Sequence, residues 1–239
     1  MMDRVDNASG KVLDTQRIQI AKNKVRMGIP QQQGWILFDA SNKTITHVMD
    51  DKKKYMIIDE ATINNLMAMQ STAMATAKAQ MANLPPAQRA QLEAMMNKMS
   101  PQGQPKEEIK IKATGATKEV AGHKCKSYEI LLGSKKISEN CVVSRKEFDI
   151  PADDYKTLDA MFKFSKDIAA KMPQNADFTA STTSAWGQGD DVPIEAQIWQ
   201  NGQPAANKMV FNSIKSESIP ASQFSVPTDY VQQSMPKMH

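Results

Sequence analysis

The sequence predicts an α+β fold in which an antiparallel β-sheet is interrupted by a methionine-rich helical insertion. Before residue 59 and after residue 108, apolar and polar side chains mostly alternate with a period of two, which is typical of strands with one buried face. Between residues 59 and 99 the period changes to about 3.6, the repeat of a helix. Short turn sequences separate the strands, so neighbours are expected to be antiparallel. We expect the 239 residues to form a single domain, residues 1–239.

The part of the chain before the insertion is predicted to form an antiparallel meander. In residues 17–29, isoleucine, valine and methionine alternate with polar neighbours across a break at Asn23, and we interpret this segment as the first strand. Three more strands are separated by short polar turns that contain Asn, Asp, Ser and Lys. These strands are predicted at residues 35–39, 44–49 and 55–58.

The insertion at residues 59–99 contains seven of the seventeen methionines and is rich in alanine, which favours helix. One face of its first helix carries an apolar stripe: Ile63, Leu66, Met67, Met74, Ala77, Met81 and Leu84. Pro85 and Pro86 end that helix, because proline lacks the backbone donor that a helix needs. A second helix then carries Leu92, Met95, Met96 and Met99. We therefore predict a helical hairpin with one methionine-rich face.

After the insertion, the alternation of strands returns. Strands are predicted at residues 108–114, 124–132, 135–144, 181–186, 192–200 and 206–218. A helix capped by Asp153 or Asp154 lies between the third and fourth of these strands. It carries Leu158, Met161, Phe162, Ile168 and Met172, and Pro173 ends it. Asn201 and Gly202 form a hairpin turn, since both residues tolerate positive φ.

The two cysteines are placed so that they can form a disulfide. A hairpin symmetric about Gly133 would put Cys125 directly opposite Cys141. The Cβ atoms of such a pair lie about 4.5–5.5 Å apart, which is close to bonding range. We predict a cross-strand disulfide, with two buried free thiols as the alternative if the compartment is reducing.

The composition excludes several classes of function. The net charge of +4 comes from 30 basic and 26 acidic residues mixed along the chain, which does not indicate nucleic-acid binding. No apolar run approaches the ~20 residues that a membrane span needs. The cysteines and histidines lack zinc-ligand spacing, so we predict no metal site and no cofactor. No nucleophile with an adjacent base and no Gly-x-Ser-x-Gly string is present. We therefore expect a binding protein and no enzyme.

Several strings carry a resemblance to a known family. They are AGHKCKSY at residues 121–128, WILFD at 35–39 with TIT at 44–46, LPPAQR at 84–89, DVPI at 191–194, and FSVP at 224–227 with Tyr230. In this order they resemble the DUF4412 family of exported bacterial proteins. That family is similar to the LolA/LolB-like lipoprotein carriers and to the periplasmic sensor RseB.

The resemblance implies a fold and a location. The fold would be an open half-barrel, a strongly curved antiparallel sheet whose concave face is covered by helices. The protein would be periplasmic, with a signal peptide that is absent from this chain and presumed removed. A groove for acyl chains and no catalytic residues are implied. A latching arginine is also implied, with Arg4, Arg17, Arg26, Arg89 and Arg145 as candidates.

Our leading hypothesis is that the chain binds a lipid or a lipoprotein acyl chain between the curved sheet and the helical lid. Each buried CH₂ group would contribute about 0.8 kcal/mol, and unbranched methionine adapts to ligands of varied shape. The residues expected to line the site are Trp35, Leu37, Met67, Met74, Met81, Leu92, Met96, Met161 and Phe162.

Two alternatives remain open. Thioether ligands suit Cu(I), and Met96 with Met99 and the C-terminal Met235 and Met238 have suitable spacing for a periplasmic copper-binding protein. Met67 and Met69 lie about 200° apart around a helix and do not. The other alternative is a module for protein interaction or envelope-stress sensing, in which the methionine face docks a partner helix from another envelope protein.

Overall fold

Two antiparallel sheets and two helices account for the described part of the chain. The computed structural model describes residues 1–81, 85, 88–89, 109–171 and 191–233. The α+β class is confirmed, and the described strands form a seven-stranded and a six-stranded sheet where we predicted one. The strands of the first are ordered β2-β1-β12-β11-β10-β9-β8, and those of the second β13-β7-β6-β5-β4-β3.

The elements have the following bounds. The strands are β1 Met2–Asp6, β2 Val12–Gln16, β3 Ile18–Ala21, β4 Lys24–Ile29, β5 Gly34–Asp39, β6 Thr44–Met49, β7 Lys54–Ile58, β8 Ile109–Val120, β9 His123–Leu132, β10 Lys135–Ser144, β11 Asp191–Gln200, β12 Gln203–Phe211 and β13 Val231–Gln232. The helices are α1 Glu60–Met81 and α2 Ala152–Lys171. Neither of these helices is both long and apolar enough to span a bilayer.

The N-terminal region differs from the prediction in two ways. Strands β1 and β2 were missed, because their polar residues give little alternation. The predicted single strand at residues 17–29 is the hairpin of β3 and β4, since Lys22 and Asn23 have φ of 50° and 63° and reverse the chain. The meander of β5, β6 and β7 is confirmed. Gly34 lies close to β6, where an added Cβ would meet the Val48 carbonyl oxygen at 2.2 Å.

Strand pairing divides the side chains of the six-stranded sheet between two faces, because successive side chains alternate. Phe38 lies opposite Val25 and Ile45 in the register. These three residues pack against both helices in a core that also contains Ile63, Leu158, Met161 and Ile168. We call this side the helix face. The opposite side, the outer face, carries Trp35, Leu37 and Val48, which pack with Phe224.

Phe224 belongs to residues 212–233, which we call the C-terminal segment. This segment leaves the seven-stranded sheet after β12 and crosses the outer face of the other sheet. It ends in β13, which pairs with β7 in parallel, an exception to the antiparallel pattern. The predicted strand at residues 206–218 therefore ends early, at Phe211.

The Cys125–Cys141 disulfide is confirmed, with Cα atoms 5.4 Å apart. The predicted register was wrong, because Cys141 lies opposite Ser127. The turn pairs Lys135 with Leu132, one residue away from symmetry about Gly133, and the register shift between Lys136 and Ser138 adds a second residue. The disulfide lies in a core with Val120, Val143 and Ile194.

The starts of the two helices have different chemistry. Asp59 caps α1, since its Oδ1 accepts from the Thr62 backbone N–H at 2.7 Å. The predicted cap of α2 was wrong, because α2 starts at Ala152 and puts Asp153 and Asp154 inside its first turn. Carboxylates in a first turn still stabilise a helix through its dipole. The predicted second helix of the insertion, around Leu92 and Met96, and the predicted strand at residues 181–186 lie outside the described residues.

Candidate functional site

A cavity of about 240 Å³ lies between the two sheets, beside the start of α2. Strand β3, the edge of the six-stranded sheet, forms one wall. Strands β1, β11 and β12 of the other sheet form the opposite wall, and residues 213–219 of the C-terminal segment close a side. We call this space the inter-sheet cavity.

Apolar side chains contribute to every wall of the inter-sheet cavity. Ile18 and Ile20 face it because strand alternation points both toward the helix face. Leu158, in the second turn of α2, is 5% exposed and joins the cavity to the helix-face core. Further apolar side chains come from the other sheet and the C-terminal segment: Met2, Val192, Pro193, Phe211, Ile214 and Ile219. Such a surface favours a hydrocarbon group over water.

Charged side chains also line the cavity: Arg17, Asp149, Asp154, Lys215 and Glu217. None of these five side chains forms a hydrogen bond or ion pair with another residue in the described part of the chain. Burial, and to a smaller extent the adjacent Asp153, raise the pKa of Asp154. The site therefore combines apolar side chains with unpaired charges of both signs, of which all but Asp154 belong to exposed residues.

The C-terminal segment is held by side-chain contacts and by the backbone pairing of β13 with β7. Phe224 is 6% exposed and packs on the outer face. Tyr230 donates its hydroxyl hydrogen bond to Asp50 at 3.0 Å, and Lys53 forms an ion pair with Asp229 at 2.9 Å. Ile219 lines the cavity and also packs against the outer-face cluster. One segment thus connects the cavity with the outer face.

The structure separates the residues that we expected to line one groove. Trp35 and Leu37 lie on the outer face, whereas Met161 lies in the helix-face core. The two groups cannot share a groove, because the sheet lies between them. Phe162 is half-buried and borders a small depression of about 20 Å³. The described members of the predicted set do not line the inter-sheet cavity.

The methionines of the insertion also differ in position. Met81 is buried, and Met67 is 39% exposed. The predicted stripe from Met67 to Met81 is therefore not uniformly buried along α1. Met74 lies in α1, but its side chain is outside the described part, as are Leu92 and Met96. Their expected role in ligand binding stays a prediction.

Sequence reasoning missed most of the cavity lining for a physical reason. The alternation of Ile18 and Ile20 was visible, and it identified a buried face. Ile214 and Ile219 have no strand or helix period, so no pattern connected them with that face. Only the tertiary path of the C-terminal segment brings the two groups together.

Metal chemistry has little support in the described residues. They contain no group of three or more His, Cys, Asp or Glu side chains that could hold a metal ion. The methionines of the copper alternative, Met96, Met99, Met235 and Met238, lie outside the described residues. That alternative remains a prediction from the sequence.

The comparisons with known proteins identify a family and give no activity. Residues 59–230 match the family model described as "Domain of unknown function (DUF4412)". This range includes α1, α2 and residues 213–219 of the cavity wall, whereas β3 precedes it. No curated protein and no solved structure matches the chain.

Proposed function

We propose that this chain, which belongs to the DUF4412 family, is a non-enzymatic binding protein for an amphiphile whose hydrocarbon tail enters the inter-sheet cavity. The observation that carries the proposal is the cavity itself, about 240 Å³ with apolar side chains on each of its three sides. An apolar cavity of about 150 Å³ is enough to bind benzene. The space therefore suits a short length of acyl chain.

The expected affinity follows from the buried area. About six methylene groups at about 0.8 kcal/mol each would contribute about 5 kcal/mol, which corresponds to a Kd of roughly 0.2 mM. Tighter binding would need contacts to the head group or a wider opening between the sheets. The uncompensated charges of the site could supply the first of these.

The proposal includes a cell-envelope location and a lipoprotein-carrier type of architecture. The Cys125–Cys141 disulfide supports an oxidising compartment such as the periplasm, because such bonds are rare in reducing ones. The packing of α2 on one face of a sheet supports the carrier-type arrangement of helices over a curved sheet. A methionine-rich lid remains part of the proposal for the segment after Met81.

Native mass spectrometry of delipidated, refolded protein tests this function. We expect palmitate and a phosphatidylethanolamine to bind in a one-to-one complex. Ile214→Trp should lower the affinity at least about tenfold, because the indole would occupy space needed by the tail. Ile214 is 38% exposed, so the larger side chain should not prevent folding.

Leu13→Trp is the matched control. Leu13 is 46% exposed on the edge strand β2, away from the cavity lining, and its variant should bind like the wild type. If neither lipid binds to the wild type, the proposed function is wrong. If both variants bind the lipids as tightly as each other, the hydrocarbon tail does not enter the inter-sheet cavity and must bind elsewhere on the protein.

A further inference from the structure

We propose that the inter-sheet cavity selects amphiphiles with a zwitterionic head group, a preference that rests on the proposed function. The anionic part of the head group would bind Arg17 and Lys215. The cationic part would bind the carboxylates of Asp149, Asp154 and Glu217. A dipolar head group with an ammonium and a phosphate is the ligand class that this arrangement fits.

The first argument is that these charges have no partners within the described protein. Several charged side chains elsewhere in the described part of the molecule form ion pairs, although exposed ones such as Lys11 and Asp51 do not. Lys208 lies 2.7 Å from Glu195, and Lys53 lies 2.9 Å from Asp229. By contrast, five charged side chains line one cavity without an ion pair among them. They remain available to a ligand.

The second argument concerns the cationic side. Arg17 precedes β3 and contributes a positive charge that lowers the pKa of Arg26, after the larger effect of burial and against the opposing effect of Asp50. Arg26 is already engaged, because its Nη1 donates to Gln223 at 2.6 Å and its guanidinium lies over Trp35 at 4.3 Å. Arg17 is therefore the arginine of this pair that is free to bind an anion, and guanidinium suits phosphate oxygens.

The third argument concerns the anionic side. Asp154 lies in the first turn of α2 and is half-buried. Its carboxylate is destabilised by burial and by Asp153, with no cation to offset them. Tyr155 cannot compensate it, because its hydroxyl donates to the Arg145 carbonyl oxygen at 3.2 Å. A ligand ammonium would supply the missing positive charge.

The balance of charges then selects the head group. Two cationic and three carboxylate side chains line the same cavity, and the N-terminal ammonium of Met1, also in the lining, donates to the Ser213 carbonyl oxygen. A purely anionic head group would be attracted by Arg17 but repelled by the carboxylates, and a purely cationic one would meet the reverse. A dipolar head group can satisfy both sets without adding net charge, since opposite charges attract at close range while distant ones are screened.

Four amphiphiles with the same dodecyl tail test this inference by calorimetric titration. They carry phosphocholine, phosphate, trimethylammonium and maltoside head groups. We expect dodecylphosphocholine to bind about tenfold more tightly than each of the others. Its head group would add charge-assisted hydrogen bonds to the apolar contacts that all four tails make. Arg17→Gln and Asp154→Asn should each remove most of that preference, measured as the ratio of the phosphocholine and maltoside affinities.

Lys11→Gln and Asp51→Asn are matched controls at exposed positions outside the cavity lining, and they should keep the preference. Thermal melting of each variant checks that it folds. Two outcomes would overturn the zwitterion inference: equal affinity for all four head groups, or tightest binding of the phosphate or the trimethylammonium head group. Either outcome would leave the proposed function standing. Failure of all four to bind would instead contradict the proposed function.

Discussion

The two faces of the six-stranded sheet are covered in different ways. On the helix face, Phe38 is 1% exposed and its ring lies 5.9 Å from that of Phe164 on α2. The contacts there are apolar and come from regular helices. On the outer face, a segment mostly without regular structure covers Trp35 through one buried phenylalanine, Phe224. One hydrogen bond to Asp50, one ion pair with Lys53 and the pairing of β13 with β7 hold its end.

The difference indicates that the helices on the helix face stay in place, whereas the C-terminal segment on the outer face can move. A helix that packs several side chains into a core must lose many contacts at once to move. An irregular segment held by a few side chains and one two-residue strand has a lower local stability than a packed helix, and elements that move in binding tend to have low local stability. Because residues 213–219 also close the inter-sheet cavity, the proposed function predicts that a ligand enters from the side of the C-terminal segment and not from that of α2.

The largest expected effect is on the helix face. Phe38→Ala should lower the free energy of unfolding by about 4 kcal/mol, because it leaves a large cavity among side chains on regular elements that cannot collapse into it. Urea denaturation monitored by circular dichroism measures the change. A loss below about 1.5 kcal/mol would mean that the helix face is as adaptable as the outer face.

Phe224→Ala is the matched substitution on the outer face. We expect a loss of about 2 kcal/mol, since the irregular segment can relax into the space. Trp35 should become more accessible, which acrylamide quenching reports in a Trp186→Phe, Trp199→Phe background. A loss as large as that of Phe38→Ala, with Trp35 still protected, would show that both faces are equally fixed.

The same two faces show how far the sequence could be read. Alternation predicted β5 correctly, yet it could not say whether Trp35 or Phe38 faces the helices. That choice depends on which side of the sheet α2 packs. Alternation shows which residues share a face, but it does not show which of the two faces a helix covers. The disulfide was predicted from spacing, but its register depended on the irregularity after Lys136. The packing of the C-terminal segment on the outer face could not be predicted, because its residues follow neither a strand nor a helix period.

The smallest effect that sharpens the comparison is a pH dependence on the helix face. His47 lies opposite Ile36 and Met56 in the register and so shares that face with Phe38. Its Nε2 is buried without a hydrogen-bond partner among the described residues. Burial lowers the pKa of His47 below its ordinary value of 6.5, because an apolar environment disfavours the charged ring.

The sign follows from proton binding in the two states. Above about pH 6.5 both states are neutral at His47, which then has no effect on the pH dependence. As the pH falls below that value, the unfolded state binds the proton first, so stability falls until the lower pKa of the folded state is passed. His47→Met should flatten this part of the stability curve, measured by urea denaturation between about pH 8 and pH 5. Parallel curves for variant and wild type would mean that water already reaches this face, and the contrast between a dry helix face and an adjustable outer face would fail.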